Sequence, residues 1–130
     1  FGRDARLLAA HAWVKENSRG APHPVGSRRP NPWGLCDMSG NVMEWCNDFY
    51  AADAYRSGPL HDPQGPDAGS QRVLRGGGWR SGPEACRCAA RAKADPATVD
   101  VCLGYPDCGF RCVRRAEDGG PGRGGPQTTR

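Results

Sequence analysis

The sequence predicts an α+β domain low in regular secondary structure, and three features carry that expectation. Apolar residues make up only 37% of the 130 residues. The 19 Gly and 12 Pro, together close to a quarter of the chain, interrupt helices and strands. Apolar alternation survives only in short runs between stretches of turn-forming residues. The length is about one domain's worth, enough to bury roughly two thirds of the unfolded surface.

Taken in order, "ARLLAAHAWVKEN" at 5–17 has the spacing of a short amphipathic helix, followed by a Pro/Gly-rich loop. His23 lies between two prolines in that loop and reads as a solvated loop residue. From 42 to 49, Val42, Glu44, Cys46 and Asp48 alternate with Met43, Trp45, Asn47 and Phe49, which predicts a strand with one aromatic face. Residues 51–71 carry loop chemistry throughout, His61 included. "RVLR" at 72–75 predicts a strand that runs into Gly76, Gly77 and Gly78. Those glycines lack the Lys-Ser/Thr of a phosphate cradle and read as close backbone packing. Two further short strands are expected at 87–91 and 110–114. The Gly/Pro-rich stretch 117–130 has nothing apolar to bury and reads as a disordered tail.

The net charge of +4 rests on sixteen Arg and two Lys, scattered without a basic block, which argues against a nucleic-acid arm. No run approaches the length of a membrane-spanning helix, and no signal segment is visible. A chain that begins at Phe1 reads as processed or cut from something longer, so the sequence assigns no compartment. The seven Cys cannot all pair internally, and their spacings match no zinc finger or ribbon. Buried thiols or disulfides are the expectation. His11, His23 and His61 do not form a facial triad with a carboxylate.

"NPWGLCDMSGNVMEWC" at 31–46 concentrates two Trp, two Met, two Cys, an Asp and a Glu around a Gly-Asn pair. By spacing alone, Asp37 can cap a turn and Glu44 can sit on a solvated strand face. Both can instead offer hard oxygens to a cation.

With "DPQGPDAGSQRVLRGGGW", "CRCAAR" and "GFRCV" following in order, this stretch resembles the successive signatures of the formylglycine-generating enzyme, or sulfatase-modifying-factor, family. The resemblance runs from about His23 to Arg115 and is of bacterial type. That family's domain is about twice as long, so residues 1–116 correspond to its C-terminal portion. The resemblance implies a variant of the C-type lectin fold. It also implies a Ca²⁺ site with side-chain oxygens from Asp37 and Glu44 and backbone carbonyls from Gly40 and Val42. That donor set suits a hard cation that takes six to eight oxygens. Trp33, Met38, Met43 and Trp45 become core or loop-packing residues.

Formylglycine-generating members also hold Cu(I) between two active-site cysteines. Counted forward from Trp79, the first of those positions is Ser81 and the second Cys86. Counted back from "RCAAR", the second falls on Pro83. One thiolate does not build a two-coordinate Cu(I) centre, so the residues argue against copper. Cys86 is left as the one candidate reactive thiol, and a buried structural role is the leading reading for it. Cys88 and Cys112 match cysteines that form disulfides in secreted members. The segment between Pro96 and Gly109, longer than is usual for the family, alters the implied substrate groove.

The leading expectation is a calcium-stabilised scaffold without the copper centre, accessory or ligand-binding in role. Its partners would be the upstream half of the same domain and a protein or peptide ligand. The enzyme alternatives are formylglycine generation and the C-terminal domain of an iron oxygenase like those of the ergothioneine pathway. The non-enzyme alternative is a retroelement-diversified binding protein.

Overall fold

The computed structural model describes residues 4–57, 61–98 and 106–114. The expected tail at 117–130 and Cys102 lie outside the described residues.

The helix expected over 5–17 is only partly formed. A 3-10 turn at Ala5–Leu7, capped by Asp4, leads into one α-helical turn, α1, at Leu8–His11. Ala12 is already extended. Asn17 supplies the reason: its side-chain oxygen accepts from the Val14 amide at 2.8 Å and its Nδ2 donates to the Ala12 carbonyl at 3.0 Å. A side chain that offers the backbone such partners competes with the helix. The opened segment then lends the Trp13 carbonyl to the Asn41 amide at 2.7 Å. Leu8, Ala12 and Val14 bury against Cys86 as the small core beneath it.

Four strands form one sheet in the order β3-β2-β1-β4: β1 at Met43–Phe49, β2 at Arg72–Arg75, β3 at Ala92–Ala94 and β4 at Cys108–Gly109. β1 and β2 run antiparallel, with Trp45 opposite Leu74 and Phe49 opposite Arg72. Four steps on β1 match two on β2, so β1 bulges between those pairs. The bulge spoils the expected alternation: every β1 residue except the exposed Asn47 is half-buried, and no clean aromatic face forms. β4 joins the other edge of β1 in parallel, placing Gly109 beside Glu44.

Two strand expectations are corrected. Residues 87–91 turn instead, because the 3-10 helix Pro83–Cys86 runs into an Arg87–Ala90 turn, and β3 starts at Ala92. Residues 110–114 are exposed and lie past the two-residue β4. The loop expected at 51–71 also contains α2, a single turn at Ala54–Ser57.

Three side-chain expectations also change. Trp33 is 83% exposed and Met38 46%, where core or loop packing was expected. Asn31 turns the chain on itself by accepting from the amides of Trp33 and Leu35, which leaves the Trp33 ring facing solvent. His23 is half-buried rather than solvated. Its ring stacks on Trp13 at 3.6 Å, with Nε2 at 2.8 Å from the Ser18 carbonyl oxygen. Several arginines lie as plates over aromatic rings, Arg28 on Trp13, Arg72 on Phe49 and Arg80 on Trp79.

The expected close packing at the glycines is present. Gly77 sits at φ +66, and a Cβ there would lie 2.6 Å from Cys86 Sγ. Among the described residues, no helix is long and apolar enough to cross a membrane.

Candidate functional site

The loop that leads into β1 folds its acidic ends into one cleft. Asp37 adopts a left-handed backbone at φ +55, which a short polar side chain tolerates. It is 8% exposed. Its Oδ2 accepts from the Gly26 amide at 2.7 Å, whereas Oδ1 is buried and meets no hydrogen-bond donor among the described residues. A buried carboxylate oxygen left unpaired costs about 1–3 kcal/mol, more if charged, so Oδ1 is disposed to accept a donor or a cation.

Asp37, Asn41, Val42 and Glu44 line a cleft of about 360 Å³, together with Val25 and Phe110. Three of the four expected calcium residues therefore share a wall. Gly40 lies behind it: its amide donates to the Gly76 carbonyl at 2.8 Å, and a Cβ on it would sit 2.3 Å from the Trp13 carbonyl oxygen. Asn41, fully buried at φ +61, fixes the loop from within. Its side chain holds the main chain of His23, and its carbonyl accepts from the Trp79 amide at 2.7 Å.

Glu44 is engaged by a residue that sequence reasoning missed. Arg111 donates from Nε to both Glu44 oxygens, at 3.1 and 2.9 Å, and from Nη2 to Oε1 at 2.6 Å. The same Nη2 reaches the Cys36 carbonyl at 2.9 Å. The Glu44 hydrogen bonds raise the Arg111 pKa above its ordinary value, and the charge of Asp37 adds to the effect. The "GFR" motif contains this arginine, but its partner lies 67 positions earlier, and only the β1–β4 pairing brings them together.

Whether the residues suit Ca²⁺ can be judged on the donor set. Among the described residues no group of three or more His, Cys, Asp and Glu could hold a metal ion of any kind, so a site here draws on two carboxylates at most. Two carboxylates lining one cleft, one of them with a buried oxygen that no protein donor meets, are hard donors of the kind a calcium ion takes.

The positions counted for copper hold Ser81, Pro83 and Cys86. Ser81 closes a turn, its Oγ accepting from the Gly78 amide at 3.0 Å. Pro83 opens the 3-10 helix that ends at Cys86. Cys86 is 3% exposed beneath Gly77, and burial pushes its thiol pKa up, which keeps it protonated. Cys36, Cys46, Cys86, Cys88, Cys108 and Cys112 are all free thiols, with Cys88 and Cys112 exposed.

A family model described as the sulfatase-modifying factor enzyme 1-like domain matches residues 3–116. The chain belongs to that family. A formylglycine-generating enzyme from Streptomyces coelicolor is 39% identical over 110 residues, covering 82% of this chain and 33% of the relative. A serine/threonine-protein kinase pkn1 from Chlamydia caviae is 46% identical over 93 residues, covering 70% of this chain and 14% of the kinase. Among solved structures, Treponema denticola variable protein 1 superposes with a TM-score of 0.66 at 34% identity, over 81% of this chain and 36% of that one. The sulfatase-modifying-factor chain described here thus spans a third or less of these two curated relatives. Its mixed architecture, with few helices and one small sheet, is that of formylglycine-generating-enzyme-like proteins.

Proposed function

We propose that this chain is a calcium-stabilised sulfatase-modifying-factor-type module, without a copper dithiol centre, that serves as an accessory or ligand-binding unit. The observation that carries the calcium part is the buried Asp37 Oδ1, unpaired in a cleft it shares with Glu44. Asp37 and Glu44 would hold the ion with their carboxylates and Val42 with its main-chain carbonyl, while Gly40, expected as a fourth ligand, stands outside the cleft lining. A bound Ca²⁺ would supply the positive charge that the two carboxylates need to be buried together. Asn41 and Gly40 do the positioning, since they lock the loop to Trp13, His23 and Gly76.

Supporting the absence of copper chemistry are Ser81, spent on its turn, and Cys86, buried with its proton held. An accessory role draws on the breadth of the relatives. The same module matches a small part of a protein kinase as well as formylglycine-generating enzymes. A protein or peptide is the ligand class such a module would take, and an upstream half of the domain would be its intramolecular partner.

A second reading has its own support. The likeness to a "variable protein" at 34% identity favours a diversified binding protein on the same scaffold. Formylglycine generation and an iron-oxygenase domain stay as the enzyme readings; the first would need a thiolate pair where Ser81 and Cys86 stand, and the second iron ligands from an upstream domain.

The test is a thermal melt in EDTA, across a Ca²⁺ titration, and with Cu(I) in parallel. Ligand that binds only the folded state raises stability by RT ln(1 + [L]/Kd), so a graded rise with Ca²⁺ and none with Cu(I) is expected. A melt raised by Cu(I), with a thiolate-to-copper absorption band, would overturn the proposal.

A further inference from the structure

We propose that Arg111 is a resident counter-ion that Ca²⁺ must displace from Glu44, so that calcium binding releases the segment after β4. This rests on the calcium reading above and adds to it a competitor and a moving part.

The two carboxylates of the cleft carry two negative charges, and in this structure the guanidinium hydrogen-bonds only one of them. Arg111 takes both oxygens of Glu44 and does not reach Asp37 Oδ1, which stays bare. A divalent cation that uses Asp37 and Glu44 together must approach the Glu44 oxygens that the guanidinium already covers. Guanidinium and Ca²⁺ in one partly buried cleft repel each other, and low local dielectric strengthens that repulsion. The two cations are therefore alternatives at Glu44.

The pair is partly exposed, with side-chain exposures of 33% and 22%, so water reaches the guanidinium and can take over its hydrogen bonds once a cation displaces it. Residues 110–114 lie beyond the last ladder pair, which ends at Gly109. Phe110 is 78% exposed and Val113 90%. The Arg111 contacts to Glu44 and the Cys36 carbonyl are thus the hydrogen bonds seen to tie this segment to the loop at 36–44. Calcium would cut that tie and free an apolar arm beside the cleft, which Phe110 helps to line.

Two measurements on the full chain test this. Calorimetric titration with CaCl2 compares the wild type with Arg111→Gln and Asp37→Asn, and two-dimensional NMR follows the Arg111 Nε–H resonance, assigned by its loss in Arg111→Lys. The expected result is at least tenfold tighter Ca²⁺ binding by Arg111→Gln. In the wild type, Ca²⁺ should shift the Nε–H signal from its hydrogen-bonded position to that of a solvated arginine. Binding by the wild type that is equal to or tighter than that of Arg111→Gln would overturn the displacement and leave the calcium site standing. An Nε–H signal unmoved at saturating Ca²⁺ would do the same, and it needs no variant to fold. No binding heat from either protein would remove the calcium reading and this inference with it.

Discussion

Asn41 grips the main chain of His23 on both sides. Its Oδ1 accepts from the His23 amide at 2.9 Å and its Nδ2 donates to the His23 carbonyl at 3.1 Å. The imidazole takes no part, being stacked on Trp13. Asn41→Ala should therefore strand two part-buried main-chain groups and cost about 2–3 kcal/mol, since each unpaired polar group costs roughly 1–3 when buried. His23→Ala loses a half-buried ring contact and the Nε2 contact to the Ser18 carbonyl, and should cost about 1–2 kcal/mol. Urea unfolding of the two variants checks the order. Equal losses would place the stabilisation in the ring instead.

Gly34 and Gly40 both have left-handed backbones, at φ +78 and +74, yet only Gly40 is confined. Nothing lies within 4 Å of a Cβ at Gly34, whereas one at Gly40 would strike the Trp13 carbonyl oxygen at 2.3 Å. Gly34→Ala should cost about 1 kcal/mol, the price of a left-handed non-glycine residue. Gly40→Ala should cost more than about 3 kcal/mol, because main chain rather than a flexible side chain must move. Melting temperatures of the two variants separate strain from collision.

Burial, with the neighbouring Asp107 charge adding to it, pushes the Cys108 thiol from the usual 9.0 up to about 11. At pH 8 that lowers its thiolate fraction from about one in ten to one in a thousand, and thiolate is the reacting species. Maleimide labelling at pH 8 should find Cys108 about 100-fold slower in the folded chain than in urea. The folded pKa lies above the unfolded one, so the folded state holds this proton more tightly. The resulting stability is complete below pH 9 and is lost as pH rises from 9 toward 11. Cys108→Ser should flatten that alkaline fall.

Much of the framework is legible in the chain itself. Arg72–Arg75 reads as a strand from its apolar centre, and Gly77 reads as close packing because no phosphate-binding residue follows it. The acidic loop is legible too, in that Asp37 and Glu44 do share a cleft. What hides from the sequence is set by contacts distant along the chain or by single side chains. Asn17 ends the first helix by offering Val14 and Ala12 better partners than the next turn, while the periodicity of 5–17 still reads as helix. The bulge in β1 depends on its register against β2. Arg111 stands among sixteen arginines, and only β4 beside β1 selects it for Glu44.

The most direct test of the central claim is the stoichiometry of Ca²⁺ bound by the full chain, measured by calorimetry with Asp37→Asn as the control. That substitution keeps the side chain's shape and an acceptor for the Gly26 amide but removes the charge facing the cleft. The account predicts one Ca²⁺ per folded chain and loss of at least tenfold in affinity in Asp37→Asn. A chain that folds cooperatively and takes up no Ca²⁺, or that binds it equally well without the Asp37 charge, would contradict it.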